Sequence, residues 1–225
     1  MRELDIRRAL RKHLGFVFEE DPTALILEEL GICRGTVRVD MAVVTGMLKG
    51  FEIKSDQDTL KRLPAQASAY NKVFDTLTVV VGARHLQRIV DVVPPWWGIL
   101  VLDDRPGNEP GLRCFRPEAL NSNLDAFALV QLLWRNEALA LLGANGIETG
   151  LRSKPRRYLW EALAKSLALS DLREMVRTQL KARQGWRSAA LQRPDGVTSL
   201  PSAKLLDYRS PRADSRIRRY TSRPN

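Results

Sequence analysis

Residues 38–54 read RVDMAVVTGMLKGFEIK, and this stretch decides the fold that we predict for the chain. Two runs rich in apolar and β-branched residues, Val37–Val44 and Leu48–Ser55, lie on either side of Thr45-Gly46-Met47. Such runs around a glycine-containing turn are typical of a β-hairpin. The sequence therefore predicts two adjacent antiparallel strands at the centre of the fold.

The length of the turn decides which side chains face each other. An odd loop that pairs Val44 with Leu48 also pairs Asp40 with Glu52, whereas a two-residue loop would separate the two acids. Opposed Cβ atoms are roughly 4.5–5.5 Å apart, which suits two carboxylates that share a cation. Lys54 points to the same face as Glu52, because side chains alternate along a strand. The simpler interpretation is a hairpin whose solvated face carries an Asp, a Glu and a Lys.

A helix is predicted next, from about Pro64 to Phe74, with the proline at its first position. Gln66 and Tyr70 are four residues apart and share one face of this helix. On a packed αβ unit that face can lie over the strand edge that carries the acids. The alternative is an ordinary hydrogen-bonded pair on the helix surface.

Asp40, the Glu-Ile-Lys of residues 52–54 and Gln66-Ala-Ser-Ala-Tyr70 together resemble the motifs of the PD-(D/E)XK nuclease superfamily. The Gln-x-x-x-Tyr element is that of its RecB-like branch. The resemblance covers roughly residues 24–85 and is closest to an uncharacterised bacterial family of that superfamily. Val39 replaces the proline that gives the superfamily its name, a departure that many members share.

The resemblance implies an α/β fold with a restriction-endonuclease-like αβββαβ core and a mixed sheet. It also implies a metal-dependent nuclease that hydrolyses phosphodiester bonds, with DNA as the expected substrate. Mg²⁺ is the implied cofactor and Mn²⁺ its substitute, held by Asp40, Glu52 and a third acid just before Leu-Gly. That third acid maps onto Glu29, with Glu28 as the alternative.

Each residue of the resembling motif has an implied role. The metal polarises the phosphoryl group and lowers the pKa of a bound water. Lys54 orients that water or neutralises charge in the transition state. The implied catalytic set is Asp40, Glu52, Lys54, Gln66 and Tyr70.

Basic residues outside the motif are candidates for phosphate contacts. Lys61 and Arg62 directly precede the predicted helix, where they can hold phosphates. Two later helices, about Pro155–Leu167 and Ser170–Lys181, have basic flanks and suggest a helix-turn-helix-like contact or a packing appendage. The predicted nucleic-acid-binding residues are Arg38, Lys61, Arg62, Arg156 and Arg157.

The charge of the chain is unevenly distributed. Its 225 residues carry a net charge of +10, yet residues 1–150 hold 18 Lys and Arg against 20 Asp and Glu. Residues 151–225 hold 18 against 6, so the whole excess lies in the last third. A basic block of this kind indicates a polyanionic partner, here nucleic acid, and also suits a protein partner at the C-terminal region.

Composition divides the chain into three predicted parts: a core over residues 1–118, a helical extension over 119–184, and a basic, Ser-, Arg- and Pro-rich tail over 185–225 that we expect to be disordered. No long apolar run or signal-peptide core is present, so we expect a cytoplasmic protein without membrane contact. Cys33 and Cys114 are too few for a disulfide scaffold or a zinc site.

Two further aromatic or basic features have simpler interpretations. His85 is expected to be a surface or capping residue, and Trp96-Trp97 to be core or lid residues rather than a base-stacking platform.

Two functions other than catalysis are also considered. One is a catalytically inactive nucleic-acid-binding scaffold of the same fold, and the other is a protein-interaction factor.

Overall fold

A computed structural model describes residues 2–103, 111–147 and 150–183 of the chain. The regular elements, in chain order, are α1 (Glu3–Val17), β1 (Leu25–Ile32), β2 (Val37–Val44), β3 (Leu48–Lys54), α2 (Leu63–Tyr70), β4 (Thr76–Gly82), α3 (Leu86–Val92), β5 (Gly98–Asp103), β6 (Gly111–Arg116), α4 (Ala126–Val130), α5 (Arg135–Ala144), α6 (Arg156–Ser166) and α7 (Leu169–Ala182). Short 3-10 turns precede α2 and α3 and follow β1.

The six strands form one mixed sheet in the order β1-β2-β3-β4-β5-β6. Strands β1, β2 and β3 pair antiparallel, β3, β4 and β5 pair parallel, and β6 returns antiparallel to β5. The helices α4 to α7 follow the last strand in the chain. The predicted α/β class, with a mixed sheet and C-terminal helices, is therefore confirmed.

The hairpin at the centre of the sheet has the predicted register. Val44 pairs with Leu48 and Ala42 with Gly50, so the turn contains three residues. Backbone pairing ends where Met41 meets Phe51, one position before the two acids. Asp40 and Glu52 are therefore not paired through the backbone, although a turn with an odd number of residues predicts that pair. A side-chain contact of Asp40, described below, takes its place.

Both faces of the sheet are covered by apolar side chains. On one face, Ile6, Leu10 and Leu14 of α1 pack against alternate residues of the central strands. Helix α2 and the helices α4 to α7 share a second, larger core with the other face. Helical spacing predicts an apolar stripe of Leu4, Ala9 or Leu10, and Leu14 on this helix, but Leu4 is exposed and Ile6 is buried instead.

Helical spacing predicts one helix between residues 124 and 142, but the chain forms α4 and α5 with a break between them. The guanidinium of Arg183 enters this break and donates to the carbonyl oxygen of Leu132 at 2.7 Å. Glu137 accepts from the backbone N–H of Trp134 at 2.6 Å and so begins α5 anew. A distant arginine therefore stabilises an interruption that helical spacing alone does not reveal.

The sequence also suggests Ser170 as the cap of the last helix, but α7 begins at Leu169 after Ala168, so Ser170 lies inside the helix. His85 is buried rather than at the surface, so that prediction is wrong. Trp97 is confirmed as a core residue, and its indole N–H donates to Asn71. Within the described part of the chain, no helix is long and apolar enough to span a membrane. The predicted tail lies outside the described residues, and the three-part division stays a prediction.

Candidate functional site

Asp40 occupies the point where β2 and β3 stop pairing. Its Oδ2 accepts a hydrogen bond from the backbone N–H of Ile53 at 2.7 Å, which replaces the missing strand contact. Its Oδ1 accepts from Nη2 of Arg7 at 3.1 Å. Both oxygens of the first predicted metal ligand are therefore engaged by the protein itself.

Glu52 lies on β3 next to Ile53 and is buried, with 3% of its side chain exposed. Its Oε1 accepts from Nζ of Lys54 at 2.6 Å and from Nε2 of Gln66 at 2.8 Å. The hydroxyl of Tyr70 donates to Oε2 at 2.6 Å. The structure thus brings together four of the five residues that the motif predicts, and Glu52 is their common acceptor.

Glu29 joins this group from β1, and Glu28 does not. Glu29 is held by Nη2 of Arg7 at 3.0 Å and by Nε of Arg38 at 2.6 Å. Its φ of 53° is left-handed, which is unusual for a residue with a side chain. Glu28 instead contacts Arg11 at 2.5 Å. Of the two candidate acids, Glu29 is the one that shares a partner with Asp40.

Arg7 is the residue that sequence reasoning missed. Its side chain is 12% exposed, and its Nη2 lies 2.8 Å from Glu3 as well as within reach of Glu29 and Asp40. The available signal was its position on α1 beside Ile6, at the edge of the buried stripe.

The following residues are called the sheet cluster: Arg7, Glu29, Asp40, Glu52, Lys54, Gln66 and Tyr70.

The sheet cluster changes the proton affinity of its members. Burial raises the pKa of Asp40 to about 7, and the negative charge of Glu52 acts in the same direction. The hydrogen bond from Ile53 and the charge of Arg7 oppose this shift without cancelling it. Burial and the adjacent Glu52 also raise the pKa of Tyr70, so its hydroxyl keeps the proton that it donates.

The donor set does not fit a magnesium ion in this arrangement. Mg²⁺ requires carboxylate oxygens that can face the metal and its waters in near-octahedral geometry. Here the oxygens of Asp40 and Glu52 accept from Arg7, Lys54 and their neighbours. Among the described residues, no group of three His, Cys, Asp or Glu is placed to hold a metal. Mg²⁺ and its substitute Mn²⁺ stay predictions.

The predicted nucleic-acid-binding residues lie on three separate elements. Arg38 is on β2 and forms an ion pair with Glu29. Lys61 and Arg62 are exposed in the 3-10 turn that leads into α2. Arg156 and Arg157 are exposed at the first two positions of α6.

These features define a class of protein: an α/β chain with a six-stranded mixed sheet, an acidic cluster whose carboxylates contact Arg7, Lys54 and Tyr70, and a basic helical extension. Comparison with known proteins specifies the family. The profile of the bacteriophage P4 protein cII family matches residues 1–200, and the chain belongs to that family. Protein cII of Enterobacteria phage P4 is 29% identical over 160 residues.

The aligned region covers 71% of this chain and 60% of the phage P4 protein, so the chain spans less than two thirds of that relative. No solved structure matches the chain. The restriction-endonuclease-like identity of the core therefore has no support from a solved structure.

The family match overturns the nuclease interpretation. The assignment to the PD-(D/E)XK superfamily was wrong, because the chain belongs to the protein cII family over most of its length. The predictions that depend on it, a nuclease, a phosphodiester hydrolase and a magnesium-dependent enzyme, are wrong with it. The motif residues do meet in space: Glu52 accepts from Lys54, Gln66 and Tyr70, and Asp40 accepts from Ile53 and Arg7.

Proposed function

We propose that the chain is a nucleic-acid-binding protein without catalytic activity, and that it contacts the phosphate backbone through residues 152–157, here called the basic segment. The observation that carries this proposal is the concentration of exposed positive charge there. Arg152, Lys154, Arg156 and Arg157 fall within six positions, and all four are exposed. Backbone phosphates attract such a segment regardless of base sequence.

Aromatic rings hold two of these cations in position. Nζ of Lys154 lies 5.3 Å from the ring centroid of Tyr158, and the guanidinium of Arg156 lies 4.6 Å from that of Trp160. Contacts of this kind order a long side chain while its charged end stays in water. Tyr158 is itself 46% exposed, so its ring is available to stack on a base beside the bound phosphates.

Acidic neighbours neutralise little of the basic segment. Arg157 pairs with Glu161 one turn later at 2.9 Å, and the arginine side chain is still 71% exposed. An exposed pair of this type contributes little energy and gives way to a phosphate at low cost. The acids of the sheet cluster, by contrast, are engaged by Arg7, Lys54 and Tyr70. This engagement is the reason to propose binding without hydrolysis.

The charge of the whole chain supports the same proposal. Residues 151–225 carry 18 basic against 6 acidic residues, a net of +12. Part of this excess belongs to the segment beyond residue 183, which the structure does not describe. A contact of that segment with nucleic acid or with a protein partner remains a prediction.

Salt-dependent binding tests the proposal. Fluorescence anisotropy with labelled duplex DNA, single-stranded DNA and RNA gives the slope of log affinity against log salt for the full chain. The double variant Arg156→Gln/Arg157→Gln should lower that slope by roughly 0.7–0.9 for each phosphate that the variant no longer neutralises. Arg8→Gln, an exposed arginine on α1, is the matched control and should leave the slope unchanged. An unaltered slope in the double variant would remove the basic segment from the interface.

A cleavage assay tests the absence of catalysis. The same labelled substrates are incubated with the full chain and Mg²⁺, Mn²⁺ or EDTA, and they should remain intact in each case. Metal-dependent cleavage that disappears in Glu52→Ala would contradict a non-catalytic protein. Cleavage that persists in Glu52→Ala would instead indicate a contaminant.

A further inference from the structure

A second polar site lies at the carboxyl ends of the parallel strands β3 and β4. The chain leaves β3 at Ser55 and leaves β4 at Gly82, and the two connections enclose a pocket of about 540 Å³. In open α/β sheets this end of the parallel strands is where ligands commonly bind. The lining includes Asp56, Asp58, Lys61, Arg84, His85 and Arg88.

His85 is the unusual residue of this pocket. It is 5% exposed, and neither ring nitrogen has a hydrogen-bond partner among the described residues. A buried polar group without a partner costs about 1–3 kcal/mol, so its retention calls for a ligand or an ordered water. A neutral imidazole offers one donor and one acceptor, and an imidazolium offers two donors.

The exposed side of the pocket is basic. Lys61, Arg84 and Arg88 are all exposed, and within the part of the chain that the structure describes none of them forms an ion pair. An arginine presents a planar fork that matches two oxygens of one phosphate, and a lysine adds a point charge. Three such cations above a buried imidazole form a site for a tetrahedral anion.

The two acids of the pocket, Asp56 and Asp58, offset part of this charge and leave an excess of one cation. Asp58 accepts from the backbone N–H and the hydroxyl of Ser55, each at 2.7 Å, and thereby fixes the turn that follows β3. The carboxylate of Asp56 packs against Gly82 so closely that a side chain at residue 82 would collide with it. Both acids therefore shape the wall of the pocket, and the three cations leave it with a net positive charge.

We propose that this pocket, here called the His85 pocket, binds the phosphate group of a nucleotide or of a nucleic acid. Lys61, Arg84 and Arg88 supply the charge, and His85, whose ring nitrogens are covered by protein atoms, donates to a phosphate oxygen once a side chain of the lining moves aside. None of the residues that line this pocket belongs to the basic segment, residues 152–157. The proposal therefore holds whether or not that segment binds nucleic acid.

The chain contains two histidines, so the response of His85 to phosphate can be measured directly. Inorganic phosphate is titrated into the full-length protein at constant ionic strength, and the imidazole resonances are followed by NMR. A His13→Gln variant assigns the signal of His85. That signal should shift and saturate with phosphate, while the His13 signal of the wild type moves no more than it does in chloride. A His85 signal that does not respond to phosphate overturns the proposal and indicates an ordered water at the imidazole.

Variants of the exposed arginines test the contribution of the cations. Arg84→Gln/Arg88→Gln should weaken phosphate binding about a hundred-fold, since the variant removes two arginines and each charge-assisted hydrogen bond is worth roughly one decade of affinity. Lys165→Gln, an exposed lysine on α6, is the matched control and should bind as the wild type does. Equal affinity in the double variant and the control overturns the proposal.

Thermal unfolding provides a readout that does not require the NMR signal. Phosphate should raise the Tm of the wild type, because a ligand that binds only the folded state stabilises it. His85→Phe removes both ring nitrogens but keeps a buried ring, so it should fold and no longer show this phosphate-dependent rise. A rise of equal size in His85→Phe would exclude His85 from the site.

Competition separates the two sources of the phosphate group. AMP is compared with adenosine, and a 5′-phosphorylated oligonucleotide with its 5′-hydroxyl counterpart, each against bound inorganic phosphate. Displacement by the phosphorylated compounds alone identifies a terminal phosphate, and equal displacement by both oligonucleotides identifies a backbone phosphate. Failure of all four compounds to displace phosphate contradicts a nucleotide or nucleic-acid ligand.

Discussion

Glu52 and Asp75 are buried to the same degree, each with 3% of its side chain exposed, but they are neutralised in different ways. The partners of Glu52 are Lys54, Gln66 and Tyr70, all within 18 residues along the chain. Asp75 lies 2.7 Å from Arg173 and 3.9 Å from Arg177, about a hundred residues away on α7. One acid organises a local unit and the other connects the sheet to the helical extension.

Further hydrogen bonds of Asp75 also connect the sheet to the helical extension. Its carboxylate accepts from the N–H of Leu48 at 2.7 Å, and its own N–H donates to the carbonyl of Leu48 at 2.9 Å. Its carbonyl accepts from the N–H of Asn121 at 2.8 Å. One residue thus ties together the start of β3, the connection to α4, and α7. Removal of Asp75 should affect the whole molecule, while changes in the sheet cluster should have smaller effects.

The largest effect is expected for Asp75→Ala. Removing one partner of a buried ion pair leaves the remaining charge without compensation and typically costs about 3–5 kcal/mol. The free energy of unfolding from urea denaturation should fall by about that amount. Glu174→Ala, an exposed acid on the same α7, is the control and should change stability by less than about 0.5 kcal/mol. Similar values for the two variants would show that Asp75 does not anchor α7.

The pH dependence of stability distinguishes the sheet cluster from the Asp75 site. The pKa of Asp40 is raised to about 7 in the folded protein from 3.8, so between these values the folded state binds a proton that the unfolded state has released. Stability should therefore fall as pH rises from about 4 to 7, with a slope of at most about 1.4 kcal/mol per pH unit from this residue.

The variant Asp40→Asn isolates this contribution from other titrating groups. His13, whose pKa is lowered by burial, acts in the opposite direction over part of the same range and is present in both proteins. The difference in unfolding free energy between wild type and Asp40→Asn should change with pH across this window. A difference that stays constant from pH 4 to 7 would mean that the carboxyl of Asp40 titrates normally.

Tyr70→Phe should have an intermediate effect. The substitution removes the hydroxyl that donates to Glu52 at 2.6 Å but keeps the ring against Phe74 and Trp97. A hydrogen bond to a charged group contributes roughly 1.5–3 kcal/mol, and urea denaturation should show a decrease in this range. Tyr158→Phe, at an exposed ring, should be near neutral. Equal stabilities of the two variants would argue that the hydroxyl of Tyr70 adds nothing to the fold.

The contrast between the two acids also explains what the sequence could predict. The hairpin follows from two apolar, β-branched runs around Thr45-Gly46-Met47, and its register is the one that an odd loop predicts, as far as Met41 and Phe51. Strand alternation pairs Glu52 with Lys54 and helical spacing pairs Gln66 with Tyr70, while the resemblance to the nuclease motifs is what groups the two pairs. Contacts that close over long separations, such as Arg183 with Leu132, leave no periodic signal in the sequence.

The error in function has the same physical origin. An acid, a lysine, a glutamine and a tyrosine at these spacings produce the same local geometry whether they serve a metal or one another. Arg7, which comes from α1 and contacts both Glu29 and Asp40, is not part of the motif. A short motif therefore predicts which side chains meet, but it does not include the distant arginine that supplies a positive charge to them.

The smallest effect on the free energy of unfolding is expected at Glu29, where two substitutions differ in how easily the residue adopts a left-handed backbone conformation. Its φ of 53° costs a residue with a Cβ about 1–2 kcal/mol, and glycine adopts this conformation freely. Glu29→Gly and Glu29→Ala remove the same carboxylate contacts to Arg7 and Arg38, so their difference reports the backbone alone. Glu29→Gly should be more stable than Glu29→Ala by about 1 kcal/mol in urea denaturation, although within a strand glycine is normally the worse of the two. If alanine is instead the more stable substitution, the left-handed conformation in β1 carries no strain, and Glu29 contributes to the sheet cluster only through its charge.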